Sequence, residues 1–88
     1  MENFDAQRDG LAAALDAKEF EVVEAALEES VRLLSDGDLS LHESVEIYEL
    51  GLKLAARCEA LLQQAELRVS LIDSEFGSME PSEDEDDL

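Results

Sequence analysis

The chain has 88 residues, 24 of them acidic and 6 basic, so its formal net charge is −18 at pH 7. This length allows at most one small domain. The charge argues against direct binding to nucleic acid or to anionic membranes, which both require clustered lysine and arginine. The acidic N-terminus and the lack of a run of about eighteen apolar residues predict neither a secretory signal nor a membrane span. The single cysteine, Cys58, cannot build a disulfide framework and suits a reducing cytoplasm.

Residues 1–19 form an N-terminal extension for which the sequence leaves two interpretations open. Leu11, Ala12 and Leu15 could share one helical face, and neither proline nor glycine occurs between Leu11 and Leu34. The first helix could therefore begin as early as Leu11. Alternatively the extension frays, as chain ends without packing partners usually do.

Apolar residues at spacings of three and four predict a helix that starts at Phe20. The opposite side of this predicted helix is charged, with Glu24, Glu28 and Arg32 among its residues. One apolar face on a helix of this length must be covered by another element, because it cannot bury itself. That face consists of Phe20, Val23, Leu27, Val31 and Leu34.

The segment between residues 34 and 41 predicts the end of one helix and the start of the next. Gly37 suits the left-handed conformation that often follows a helix, because it has no Cβ. Ser40 and Glu43 have the spacing of a capping box, in which both side chains accept hydrogen bonds from backbone N–H groups of the first turn. Because the link has only about four residues, the two helices are expected to lie side by side. We therefore predict an all-α fold, an antiparallel, coiled-coil-like two-helix hairpin over residues 20–72.

The second predicted helix runs from about Leu41 to about Ile72 and carries one long apolar stripe along its length. Gly51 lies beside this stripe, and an interior glycine costs about 1 kcal/mol relative to alanine, so we expect another backbone to approach it closely. Tyr48 can bury its ring while its hydroxyl reaches solvent. The residues predicted to pack the two helices together are Phe20, Val23, Leu27, Val31, Tyr48, Gly51, Leu52 and Leu62.

A second apolar set on the same helix, Ile47, Leu50, Leu54 and Leu61, keeps helical spacing but lies away from the centre of the first stripe. A two-helix hairpin needs only one face of each helix, so these side chains would form an exposed apolar patch typical of an association surface. Burial would contribute roughly 1.5–3 kcal/mol for each. We predict that they contact a further helical partner, although the two stripes could exchange roles.

The sequence predicts no catalytic, cofactor-binding or metal site. One histidine and one cysteine cannot form a transition-metal site by themselves. His42 is expected to be a surface residue, and Cys58 a small hydrophobic residue without an activating partner. Asp36, Asp38 and Glu43 lie near the turn and could be imagined as a Mg²⁺ site, but turn and cap roles account for them and an open hairpin offers no cleft.

Residues 73–88 are predicted to form an acidic, disordered tail. Gly77 and Pro81 are loop residues, and five consecutive acids occupy residues 83–87. Repulsion between these charges and the lack of apolar residues oppose folding. The tail is expected to promote solubility; the sharper alternative is a segment that mimics DNA.

The chain resembles the small subunit of bacterial exodeoxyribonuclease VII over residues 20–72. The most specific part is the turn Gly37-Asp38-Leu39-Ser40-Leu41, followed by Tyr48-Glu49 and Gly51. His42 departs from the pattern, since such proteins more often have an acidic residue there, and both chain ends lie outside it. Other matching residues are Phe20-Glu21, Leu27-Glu28-Glu29, Val31, Glu43, Leu54, Cys58, Leu61-Leu62, Ala65-Glu66 and Val69.

The resemblance implies a non-catalytic subunit of a bacterial, cytoplasmic nuclease. In this family a large subunit carries the nuclease and single-strand-binding domains and degrades single-stranded DNA from both ends to oligonucleotides. Small subunits pack on its long helices as helical hairpins, so the expected partners are the large subunit and other small-subunit copies, without direct contact to nucleic acid. The alternatives are a self-associating acidic helical adaptor and an acidic inhibitor that mimics DNA.

Overall fold

The computed structural model describes residues 3–76, which form three α-helices and no strand. Helix α1 spans Phe4–Ala14, α2 spans Phe20–Asp36 and α3 spans Leu41–Glu75. The prediction of an all-α protein is confirmed. The expectation of only two helices is corrected, because the N-terminal extension contributes a separate helix rather than lengthening α2 or fraying.

Helix α1 forms because its first turn is capped and one side of it is apolar. The Asn3 side chain accepts a hydrogen bond from the backbone N–H of Ala6 at 2.7 Å, which satisfies one unpaired donor of the first turn. Leu11 and Ala14 are buried, and α1 contacts both α2 and α3. The helix therefore lies along the groove between the other two helices and covers part of each.

The connection between α2 and α3 has the local geometry that its residues favour. Gly37 adopts φ 76°, the left-handed conformation that ends α2. The Ser40 hydroxyl accepts the Glu43 N–H at 3.1 Å, and the Glu43 carboxylate accepts the Ser40 N–H at 3.0 Å. Both hydrogen bonds of the capping box are present, so α3 begins where local chemistry predicts.

Contacts between α2 and α3 proceed in opposite directions along the two chains. Ser30, in the second half of α2, lies against Gly51. The linker before α2 instead meets α3 further on, where Arg57 binds the carbonyl of Ala17. The two helices are therefore antiparallel over their shared length. The buried apolar residues of the chain are Leu11, Ala14, Val23, Leu33, Ile47 and Leu54.

Helix α3 is about twice as long as α2 and three times as long as α1, and it extends beyond both. Its 35 residues correspond to roughly 52 Å, whereas the 17 residues of α2 correspond to roughly 26 Å. Every residue from 62 to 76 is exposed. The helix also ends three residues later than predicted, at Glu75, so residues 73–75 belong to it and not to the tail. Residues 77–88 of the predicted acidic tail lie outside the described residues.

None of the three helices in this part of the chain is both long enough and apolar enough to cross a membrane.

Candidate partner-binding surfaces

The four residues predicted to contact a partner lie inside the chain's own fold. Ile47 and Leu54 are 0% exposed and belong to the central cluster of buried residues. Leu50 and Leu61 are partly buried and pack against the same cluster. This corrects the expectation that these side chains form the outward-facing apolar patch of α3.

These residues are buried because of α1, whose position the sequence did not determine. The prediction assumed two helices, which would leave one apolar side of α3 exposed, whereas α1 packs on that side. Arg8 and Ala12 of α1 face Glu46 and Leu50 of α3 across a shallow groove. Leu11 contributes a side chain only 3% exposed to the same core. The stripe centred on Ile47 is therefore covered from two sides.

The residues predicted to pack α2 against α3 divide into two groups. Val23 is fully buried, Leu27 packs against the core, and Phe20 is half-buried. Gly51 is closely approached as expected, although by the Ser30 side chain and not by backbone. In a correction to the prediction, four of the residues are exposed: Val31, Tyr48, Leu52 and Leu62.

Three of these exposed residues define what we call the lateral face: Val31 on α2 with Tyr48 and Leu52 on α3. Val31 lies nine residues, or two and a half helical turns, after Val22, so the two valines are on opposite sides of α2. Val22 shares its side with Ala25 and Glu29, which line the groove next to α1. Val31 is therefore on the side away from α1. On α3, Glu46 and Leu50 line the groove next to α1, and Tyr48 lies about 160° around the helix from both, so it too is on the side away from α1. Leu41 and Val45 continue the lateral face and are also exposed.

A second exposed apolar surface, here called the end stripe, follows the part of α3 beyond α2. Its residues recur at spacings of three and four, as on one side of a coiled-coil helix. At about 100° per residue, these positions continue the side of α3 that carries Ile47 and Leu54. The core-facing side of α3 therefore extends past the helices that cover it. The end stripe consists of Leu62, Ala65, Val69, Ile72 and Phe76.

Arg57 makes a long-range contact that sequence analysis missed. Its guanidinium donates from Nη2 to the carbonyl oxygen of Ala17 at 3.0 Å, which holds the linker between α1 and α2 against α3. Its Nε is buried without a hydrogen-bond partner among residues 3–76. Residues 17 and 57 are 40 positions apart, so no local spacing could have indicated the contact.

Two of the three acidic residues near the turn have structural roles. Asp36 accepts a hydrogen bond from Arg32 at 2.8 Å, and Glu43 caps α3. Residues 3–76 contain no group of three or more histidine, cysteine, aspartate or glutamate residues placed to hold a metal ion. Cys58 is partly buried against the core. Burial, followed by the negative charge of Glu24, raises the pKa of its thiol, which keeps it in the unreactive protonated form at neutral pH.

The fold and its two exposed apolar surfaces define a class: a small acidic all-α protein with helical faces suited to packing against other helices. A family model for the exonuclease VII small subunit matches residues 20–71. The chain belongs to the exonuclease VII small subunit family, whose members are components of a nuclease complex. Helix α1 lies outside the matched residues.

Curated relatives carry the same description. The chain is 51% identical over 63 residues to the exodeoxyribonuclease 7 small subunit of Rhodopseudomonas palustris (strain HaA2), which covers 69% of this chain and 76% of the relative. The Bradyrhizobium sp. (strain ORS 278) protein of that name is 47% identical over 64 residues, covering 73% and 77%. The one from Legionella pneumophila subsp. pneumophila (strain Philadelphia 1) is 41% identical over 66 residues, covering 75% and 87%. No solved structure matches the chain.

Proposed function

We propose that this protein is the non-catalytic small subunit of an exodeoxyribonuclease VII and packs, through its lateral face, on helices of the large catalytic subunit. In this proposal α2 and α3 act as a coiled-coil-like helical hairpin that joins further helices. The large subunit performs the hydrolysis of single-stranded DNA from both ends to oligonucleotides. The curated relatives are bacterial proteins, which is in keeping with a complex in the bacterial cytoplasm.

The exposed apolar lateral face is the observation that carries the proposal. Val31, Tyr48 and Leu52 are each more than half exposed, although they lie on adjacent helices and on the same side of the pair. Complete burial of such a side chain contributes roughly 1.5–3 kcal/mol, so covering the exposed halves of three supplies several kcal/mol. Tyr48 adds an aromatic ring with a polar end, a residue type enriched where binding energy concentrates at interfaces.

The matched valines of α2 provide the test. Val31 is 55% exposed and Val22 is 46% exposed, on opposite sides of the same helix. Val31→Asp places a charge in the proposed interface, whereas Val22→Asp places the same charge next to α1. We expect Val31→Asp to weaken binding to a co-expressed large subunit at least about tenfold. Val22→Asp should leave the affinity within about twofold.

The measurement is co-purification of the two chains followed by titration of purified large subunit with each variant. Circular dichroism and thermal unfolding of the isolated variants establish that both remain folded. Digestion of a labelled single strand by the reconstituted complex should fall in parallel with binding for Val31→Asp. Equal binding by wild type and a folded Val31→Asp variant would exclude the lateral face, and no complex with wild type would exclude the function.

A further inference from the structure

We propose that the end stripe binds the end stripe of a second copy of this chain, with the two α3 helices antiparallel. This inference concerns a different surface from the lateral face and does not depend on the proposed nuclease role. The contact would be weak in dilute salt and stronger at higher ionic strength.

The apolar residues of the end stripe have the arrangement of a two-stranded helical contact. Leu62, Val69 and Phe76 are seven residues apart, and Ala65 and Ile72 alternate with them. This is the repeat whose two positions per heptad face a partner helix. Val69, Ile72 and Phe76 are each about half exposed, so the stripe is formed and open in the single chain.

The way α2 covers α3 determines the orientation of the second copy. Over residues 41–61 the core-facing side of α3 is occupied by α2. A second α3 placed parallel and in register on the end stripe would overlap α2 further back along the helix. An antiparallel α3 avoids this overlap. The part of the second α3 that its own α2 covers then lies past the C-terminal end of the first α3. Two end stripes can therefore cover each other while each α2 remains in place.

Charges beside the stripe fit this orientation. No acidic residue lies three or four positions from Arg68, so a regular helical ion pair within α3 is not open to it. In an antiparallel pair, each flank of one helix faces the same flank of the other. Arg68 and Glu75 are seven residues apart on one flank, so Arg68 of one copy lies beside Glu75 of the second copy, twice in a symmetric dimer.

The other flank opposes association. Glu66 and Asp73 are also seven residues apart. In the antiparallel contact, Glu66 of one copy would lie beside Asp73 of the second copy, so two negative charges meet at each end. With a net charge of −18 on each chain, overall repulsion acts in the same direction. Salt screens both repulsive terms and also the Arg68–Glu75 attraction, but at −18 per chain the repulsion is the larger sum. Self-association through the end stripe should therefore strengthen with salt, whereas a charge-driven contact with a basic partner would weaken.

Sedimentation equilibrium of the full chain tests the proposal with two adjacent residues. Ile72 lies in the end stripe and Leu71 does not, and they are 52% and 60% exposed. We expect wild type to dimerise, and raising NaCl from about 0.05 M to about 0.5 M to increase the association constant several-fold. Ile72→Asp should reduce that constant at least about tenfold, and Leu71→Asp less than about twofold.

A charge exchange tests the register. Arg68→Glu should weaken the dimer more than Lys53→Glu, which changes the net charge equally at a position away from the stripe. Adding Glu75→Arg to Arg68→Glu restores the wild-type net charge and should restore the association. An exchange without recovery would overturn the antiparallel register.

Three other outcomes would overturn the proposal: a monomer at millimolar concentration, a dimer that salt dissociates, or equal loss for the two aspartate variants. A dimer abolished by Val31→Asp but not by Ile72→Asp would assign self-association to the lateral face instead. Binding of the large subunit is measured separately and can fail or succeed independently of these results.

Discussion

At the scale of single residues, Ser30 and Gly51 show how one close contact constrains sequence. A Cβ at residue 51 would lie 3.1 Å from Ser30 Oγ, closer than side chains normally approach. The Ser30 hydroxyl cannot easily turn away, because it donates to the Leu27 carbonyl oxygen at 2.6 Å. Glycine at position 51 therefore lowers the helix propensity of α3 but leaves space for the buried Ser30 hydroxyl.

A double-mutant cycle at these two positions should show coupling. In wild type, the clash with Ser30 should cancel most of the gain of about 1 kcal/mol that Gly51→Ala brings through helix propensity. In Ser30→Ala, the nearest atom would be a Cβ at 3.7 Å, an ordinary contact, so the full gain should appear. The measurement is the free energy of unfolding in urea for all four proteins. Additive effects would show that the hydroxyl does not constrain residue 51.

The Glu29 carboxylate should titrate below its ordinary range because of Arg32. A side-chain hydrogen bond and the positive charge of Arg32 lower the pKa of Glu29, and partial desolvation opposes them. A pKa lowered by folding contributes stability above the unfolded value and loses it as pH falls through the folded value. We expect Arg32→Gln to move the pKa of Glu29 upward in an NMR titration. Arg8→Gln, on α1, should leave that pKa unchanged, and a shift in both variants would contradict the pairing.

At the scale of elements, α1 decides which stripe of α3 becomes core. Leu11 is the most buried residue of α1 and belongs to the core cluster that this helix shares with α2 and α3. Leu11→Ala should cost about 2–3 kcal/mol, because it removes a buried side chain and leaves a cavity. Leu67→Ala, the same change at a 60% exposed leucine, should cost less than about 0.5 kcal/mol. Thermal and urea unfolding measure both, and equal effects would show that α1 does not pack as described.

At the scale of the whole molecule, α3 exposes more large apolar side chains than it fully buries. The lateral face and the end stripe point in different directions, so one chain can contact two neighbours at once. The Val31 and Ile72 variants separate these contacts because each places a charge on only one surface. A small subunit that makes both contacts would connect a helix of the large subunit to a second small subunit.

The sequence by itself determined the features that depend on nearby residues: helices α2 and α3, the Gly37 turn, the Ser40–Glu43 cap and the family. Each arises from interactions within a few positions or from a pattern along one helix, so the residues contain enough information. The tertiary structure decided the position of α1, the Arg57–Ala17 contact and the exchange of roles between Ile47 and Tyr48. Those features depend on packing between segments far apart in the chain, and helical periodicity alone cannot say which of two apolar sides a third helix will cover.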